Sequence, residues 1–343
     1  MNNLKKREIN IKFVDFEGFL DPYDDNNLIL NILKKKYNVK ISDNPDYLFF
    51  GLGGYEHLKY DCVRIFWTGE CFTPDFNIAD YALSYENLSY GDRHIRAPIY
   101  FFPPYNENLE KTIERKMDDL EKKDKFCSFV VSNEYGNNYR INLFHKLNEY
   151  KKVDSGGRYL NNIGGALGMG NNRLSTKYTF DLSHKFSIAC ENSSHLGYTT
   201  EKITDSFAAH CIPIYWGNPL IDEEFNSNAF INCNNFDSID EVVEEIKRID
   251  NNEELYYKMV NEIAFLGDFN KFYLDLENFL YNIFNQPLEK AYRRERVMFG
   301  KTYEHNNKMF YKIYYKPYHF LINILIFLHI DNFLRNIYHK FKK

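Results

Sequence analysis

The run from Phe186 to Gly217, FSIACENSSHLGYTTEKITDSFAAHCIPIYWG, constrains the fold more than any other stretch. It reads as a buried strand (Phe186 to Cys190), a polar turn, a helix opening near Thr199 or Thr200, and a second buried strand (Ile212 to Trp216). That order is a parallel βαβ unit, whose ligands sit outside the carboxyl ends of the strands. Glu191 and Asn192 close the first strand, and Glu201 and Lys202 open the helix, so polar groups collect where such a fold leaves its crevice. A lysine in the first helical turn faces the positive end of the macrodipole, at a cost of about 0.3–1 kcal/mol. A bound phosphate reverses that sign, because free backbone N–H groups and Lys202 then point at the same negative charge. A solvated lysine on an ordinary helix is the competing reading.

The rest of the chain repeats the alternation of strand and helix that marks parallel α/β layers. INIKFVDF at 9–16 and DYLFFGLGG at 46–54 read as strands, with a helical pattern from Leu28 to Tyr37. The strand Cys62 to Trp67 delivers Thr68, Gly69 and Glu70 to a carboxyl end. Ala79 to Tyr85 and Ile95 to Phe102 read as short strands, and Pro98, Pro103 and Pro104 place the second at an edge or an exit from the sheet. Asn106 to Lys125 is charged and reads as a solvated connecting helix, after which Phe126 to Ser132 starts a second set. The helix Tyr139 to Tyr150, a glycine-bearing loop from Ser155, the βαβ unit, the strand Phe230 to Cys233 and helices at Ile239 to Ile249 and Glu253 to Leu266 follow. Pattern alone therefore gives two doubly wound layers: a first domain over 1–125, a second over 126–290, and a tail over 291–343. A length of 343 residues fits two cores.

The formal net charge of −5 excludes a general attraction to nucleic acid, so any anion site is local. Six cysteines, at 62, 71, 127, 190, 211 and 233, contain no Cys-x-x-Cys pair; they point to reduced thiols in the cytoplasm, with neither a zinc site nor a disulfide framework. No signal-peptide core follows MNNLKKREINIKF, and no stretch reaches the roughly 20 apolar residues of a membrane span. From Asn307 onward, seven Lys or Arg accompany one acid, Asp331, and the apolar run FLINILIFL. A cationic, aromatic-rich tail of this kind suits peripheral contact with an anionic membrane surface, with a helix packed across both domains as the alternative.

The run ENSSHLGYTTEKITDSF, followed by IPIYWGNP and FNSNAFINCNNF, resembles the donor-binding signature of the α-1,3/4-fucosyltransferases, glycosyltransferase family 10. VRIFWTGE at Val63 to Glu70, IADYALSYE, and VDSGGRYLNN around Arg158 extend the resemblance upstream in the family's order. It implies the GT-B architecture, two Rossmann-like domains facing across a cleft. It also implies inverting transfer of L-fucose from GDP-β-L-fucose to a hydroxyl, O3 foremost, of N-acetylglucosamine in a lactosamine-type glycan. The product so implied is a Lewis-type α-linked fucose on bacterial surface glycan precursors.

Such a reaction needs a base for the acceptor proton and charge stabilisation for the departing diphosphate. Glu70, at the end of a buried strand after Gly69, matches the glutamate proposed as the family's base; capping of a turn is its bland alternative. The family's next residue is usually Asn, whereas here it is Cys71. Arg158 and Lys202 match the cations of the donor site, and Gly156 and Gly157 would let a phosphate approach the backbone. Asn192 and Tyr198 can supply neutral hydrogen bonds. Glu201 could accept from sugar hydroxyls or stabilise oxocarbenium character at the anomeric carbon.

GGALGMGN, at Gly164 to Asn171, lacks the spacing of a phosphate-binding glycine loop and reads as a loop that could close over the donor. No Asp-x-Asp pair occurs, so no obligatory metal is expected, while stimulation by a divalent ion stays open. A GT-B enzyme for another nucleotide sugar, or a non-catalytic glycan- or nucleotide-binding protein on this scaffold, are the other readings.

Overall fold

The computed structural model describes residues 6–16, 23–113, 123–168 and 173–327. The first layer comprises β1 (Glu8–Val14), α1 (Leu28–Lys36), β2 (Asn38–Ile41), β3 (Tyr47–Phe50), β4 (Val63–Trp67), β5 (Tyr81–Ser84) and β6 (His94–Arg96). Its six strands are all parallel, in the order β2-β1-β3-β4-β5-β6. Every residue of β3, β4 and β5 is buried, as in a parallel sheet covered on both faces. Asn27 caps α1 by accepting from Leu30 N, and the helix turns Ile29, Leu30, Ile32 and Leu33 inward.

The strand expected over Ile95 to Phe102 is shorter than the sequence pattern suggested. Pairing stops at Arg96, and Ile99–Phe101 forms a 3₁₀ turn, because Pro98 has no N–H to continue the ladder. The connecting helix α2 (Asn106–Ile113) is not the solvated element the sequence led us to expect. Asn108, Leu109 and Thr112 are buried on one of its faces.

The second layer runs β7 (Lys125–Phe129), α3 (Tyr139–Tyr150), β8 (Val153–Ser155), α4 (Arg173–Asp181), β9 (His184–Ile188), α5 (Glu201–Ala208), β10 (Ile212–Tyr215), β11 (Ile231–Asn232), α6 (Ile239–Asp250) and α7 (Glu253–Asn261). These five strands are also parallel, in the order β11-β10-β9-β7-β8. Helix α4 was absent from the sequence reading, since RLSTKYTFD offers no apolar stripe. The glycine-bearing loop is described as far as Gly168; the remainder of the closing loop expected over 164–171, residues 169–171, lies outside the described residues.

Helix α8 (Phe269–Asn285), within the span the sequence assigned to the second domain, returns to the first. Its stripe of Phe272, Leu276, Leu280, Ile283 and Phe284 joins Ile29, Leu33, Tyr47 and Phe49 in one core, with the Phe284 ring 4.3 Å from Tyr47. An apolar stripe on a helix specifies burial but not the surface that covers it. The same core takes in Ile203, Phe207 and Tyr215 of the second layer, so continuous apolar packing joins the two layers.

After α9 (Leu288–Ala291), the chain stays on the first domain. Arg294 pairs with buried Asp80, and α10 (Met298–Phe310) is pinned by Glu304 to Arg64 at 2.9 Å and by Tyr303 to Asp75 at 2.7 Å. A π-helical turn at Tyr311–Tyr315 leads into α11 (Lys316–Phe327), which buries no residue; Phe320 is 68% and Phe327 81% exposed. Residues 328–343 of the tail lie outside the described residues. Among the described residues, no helix is long and apolar enough to cross a membrane.

Candidate active site

In the second layer β8 flanks β7 on one side and β9 on the other, so the winding reverses between β7 and β9. That switch point is where an open α/β sheet offers its crevice. Glu191 and Asn192 follow β9 directly into it. Thr200 caps α5, and its N–H and hydroxyl both donate to the Glu191 carboxylate, at 2.7 Å and 3.0 Å to Oε1. Lys202 Nζ donates to Glu191 Oε2 at 2.9 Å and to Thr200 Oγ1 at 2.9 Å. The side chain of Glu191 is fully buried, while that of Lys202 is 24% exposed. The lysine is thus a buttressed cation with one of its three N–H bonds left over. Burial works against its charge, but Glu191, Glu201 and Glu70 together hold its pKa above the ordinary lysine value. Burial likewise pushes the Glu191 carboxyl up, only partly countered by Lys202.

Asn192 is oriented by Arg140, whose Nη1 donates to Asn192 Oδ1 at 2.7 Å while Nη2 donates to the carbonyls of Asn133 and Tyr135. The amide nitrogen of Asn192 remains available to a ligand. Tyr198 is 1% exposed, with its ring edge-on to Tyr85 at 5.0 Å. Burial, then the charges of Glu191, Glu70 and Glu201, hold its hydroxyl protonated, so it acts as a neutral donor.

Across the gap, β4 delivers Glu70 on a tight turn. Glu70 N donates to Thr68 Oγ1 at 3.0 Å, and Phe72 N donates to the Glu70 carbonyl at 2.8 Å. The Glu70 side chain is exposed and has no hydrogen bond or ion pair among the described residues. Its charge helps raise the pKa of both Lys202 and Tyr198, so the unpaired carboxylate lies within electrostatic reach of the Lys202 end of α5. Gly69 serves close packing: a Cβ there would lie 3.0 Å from Ile99.

The two walls are fastened to each other. Ser193 Oγ donates to Cys71 Sγ at 3.0 Å, so the residue after Glu70 is a cross-domain contact. Arg96 of β6 donates to the Gly197 carbonyl at 2.8 Å and pairs with Glu224 at 2.7 Å; Glu224 also accepts from Tyr100, Asn218 and Thr199. The sequence reading missed Arg96, Glu224 and Arg140. No local pattern marks them, because their partners lie far away in the chain.

Arg158 stands apart from this cluster. It is exposed, beyond β8, with no ion pair or hydrogen bond among the described residues. Its preceding glycines answer to the chain itself: a Cβ on Gly157 would lie 1.8 Å from the Val131 carbonyl, and one on Gly156 2.8 Å from Leu167. Phosphate access is not needed to account for them. A cavity of about 260 Å³ between β11 and α7, lined by Phe230, Asn235, Arg248 and Met259, contains none of the site residues. Among the described residues no cluster of three metal-ligating side chains occurs.

Residues 11–103 match the profile of the alpha-(1,3)-fucosyltransferase FucT N-terminal domain, and residues 120–262 that of the glycosyltransferase family 10 (fucosyltransferase) C-terminal domain. The chain is 30% identical over 277 residues to alpha-(1,3)-fucosyltransferase FucT of Helicobacter pylori, covering 69% of this chain and 56% of that protein. To alpha-(1,3)-fucosyltransferase 4 of Bos taurus it is 30% identical over 184 residues, 52% of this chain and 43% of the relative. The chain thus spans about half the length of the curated relatives it matches. Its fold is similar to a crystal structure of α1,3-fucosyltransferase with GDP, with a TM-score of 0.66 and 25% identity over 82% of this chain and 93% of that one. The corresponding structure with GDP-fucose gives a TM-score of 0.67 at 24% identity, covering 84% and 94%. The architecture is GT-B.

Proposed function

Because the chain belongs to glycosyltransferase family 10, the fucosyltransferases, we propose that it transfers L-fucose from GDP-β-L-fucose to a hydroxyl of an N-acetyllactosamine-type glycan, with inversion. The observation that carries this reading is Glu70, an exposed carboxylate without a protein partner, set opposite the Lys202 end of α5. In the reaction, Glu70 takes the proton of the acceptor hydroxyl, O3 of N-acetylglucosamine. The oxygen attacks the anomeric carbon from the face opposite GDP, and the bond to the β-phosphate oxygen breaks with its electron pair leaving on GDP. Lys202 offers its remaining N–H and the α5 N-terminus its free amides to the diphosphate. Asn192 and Tyr198 donate to phosphate or ribose, and Glu201 faces the sugar. Arg158 closes the far side: β8 is two strand spacings from β9, about 10 Å, a distance an arginine side chain and a diphosphate span together.

Leaving-group charge is then met by the protein, and turnover is expected to survive a chelator, with divalent ions at most stimulating it. The exposed, apolar α11, together with the seven Lys or Arg in the sequence from 307 to 343, supports the reading that the tail rests on the cytoplasmic face of the inner membrane.

The test is GDP release from GDP-fucose with N-acetyllactosamine, in wild type and Glu70→Ala, together with linkage analysis of the product. Loss of turnover by a factor of 10² or more, with GDP affinity kept within a few-fold, is expected for removal of a general base. Near-full activity in the variant would refute the base assignment. Release of nucleotide only from another sugar donor would refute the choice of fucose, and binding without turnover of any donor would refute catalysis.

A further inference from the structure

Next to the proposed base lies a second carboxylate to which the reaction assigns no part. Glu86 follows β5 on the first-domain wall and is 9% exposed. Its Oε1 accepts from Thr73 Oγ1 and, at 3.2 Å, from the Tyr85 hydroxyl. Its Oε2 has no hydrogen bond among the described residues; Nδ1 of His195 lies 3.9 Å away, on the second-domain turn that leads into α5. The His195 ring is half exposed, leans edge-on against Tyr85 at 5.6 Å, and has one weak bond of its own, 3.3 Å from Nδ1 to the Leu196 carbonyl. The Tyr85 hydroxyl also accepts from the Cys71 thiol, at 3.5 Å, and Cys71 is the residue after Glu70. Base, thiol, phenol and second carboxylate therefore form a chain along one wall, with the imidazole arching over it from the other.

The spacing of Glu86 Oε2 and His195 Nδ1 is too long for a direct hydrogen bond and suits a bridging hydroxyl. An oxygen about 2.8 Å from each subtends an angle near 90°, and a sugar hydroxyl can donate to the carboxylate while accepting from the Nδ1–H, which it draws from the weak 3.3 Å bond to the Leu196 carbonyl. The Glu86 side chain keeps 11% of its surface open, so a ligand can reach the Oε2 that no protein group occupies.

We propose that Glu86 and His195 form a hydroxyl-binding subsite for the acceptor glycan, gripping a hydroxyl near the one that Glu70 deprotonates. This rests on the fucosyl-transfer reading and adds its acceptor-side contacts. The subsite belongs to the acceptor because Glu86 hangs from the wall that carries Glu70, while the groups assigned to the donor all lie in the second domain. Contact between the walls completes it, so it pairs a first-domain carboxylate with a second-domain imidazole.

The experiment compares wild type, Glu86→Gln, His195→Ala and the double variant, with GDP-fucose and N-acetyllactosamine and its monodeoxy analogues as probes. Each single variant is expected to raise the acceptor KM about tenfold and leave the KM for GDP-fucose within twofold. The double variant should be no worse than about the worse single, since both residues hold one hydroxyl. One monodeoxy analogue should lose a similar factor with wild type and almost nothing with the variants. His195→Ala sits at an exposed position and keeps the test open if Glu86→Gln folds poorly. An unchanged acceptor KM in His195→Ala, or a rise in the KM for GDP-fucose instead, overturns the subsite. Titration of N-acetyllactosamine into the GDP-loaded protein reads the same grip without turnover. If wild type releases no GDP from GDP-fucose, the functional reading fails, and weaker binding or no change in His195→Ala still decides the subsite.

Discussion

Replacing Glu191 by Gln tests whether the donor-side cation is held as described. Glutamine keeps the size of the side chain and an oxygen for Thr200 N, but turns an NH₂ towards Lys202 Nζ, where Oε2 now accepts at 2.9 Å. One charge-assisted hydrogen bond is lost, worth about 1.5–3 kcal/mol, and breaking a fully buried ion pair costs about 3–5 kcal/mol. Two effects reduce that figure. Lys202 is 24% exposed, so water takes up part of its charge, and burial already disfavours the Glu191 carboxylate, a penalty the amide removes. The net expectation is about 2 kcal/mol of lost stability. At about 2.1 cal/mol/K per residue over 343 residues, the unfolding entropy is about 0.7 kcal/mol/K, so Tm should fall by about 3 °C in scanning calorimetry. Saturating GDP should recover part of this, because phosphate returns negative charge to Lys202, and the Tm rise on adding GDP should be larger in the variant. A variant within 1 °C of wild type, or an identical GDP-induced rise in both, would show that Glu191 does not hold Lys202 as argued.

Calorimetric titration with GDP should show Lys202→Ala and Arg158→Ala each binding about tenfold or more weakly, a loss of about 1.4 kcal/mol per tenfold, while only Lys202→Ala also lowers Tm; unchanged affinity in Arg158→Ala would remove that residue from the donor site. Glu304 is pushed up by burial, but hydrogen bonds from Arg64 and Lys308 prevail and bring its pKa down to about 2 from 4.5. A depressed folded-state pKa contributes stability that is present above pH 4.5 and lost as the pH falls towards 2, so wild type should exceed Glu304→Gln by about 2–3 kcal/mol at pH 7 in urea unfolding and converge on it near pH 2. A gap that does not depend on pH would refute the pairing. Deletion of residues 307–343 should move the protein from the membrane pellet to the supernatant, and unchanged fractionation would count against the membrane-facing tail.

Sequence periodicity was enough for two parallel layers, since a strand buried on both faces cannot hide its continuous apolar run: VRIFW became β4 and IPIY became β10. The polar ends of those strands were equally legible: Glu70 follows β4, Asn192 follows β9, and Glu201 and Lys202 open α5. Helix α8 was misplaced because its stripe of Phe272, Leu276 and Leu280 is satisfied by any apolar surface, and only tertiary packing chose the first domain. The two glycines before Arg158 suggest room for phosphate, yet a neighbouring carbonyl at Val131 occupies the space beside Gly157, a proximity that no local pattern encodes.

The order of residues by itself determined which segments pair as strands and which side chains stand at their carboxyl ends, because both follow from local spacing and burial. What faces what was decided by the folded chain. Arg96 finds Glu224 across 128 residues, Ser193 finds Cys71 across 122, and Lys202 meets a glutamate before it meets any phosphate. Charge and hydrogen-bond partnerships depend on distances of a few ångströms, which fall off too steeply to be read from separation along a chain.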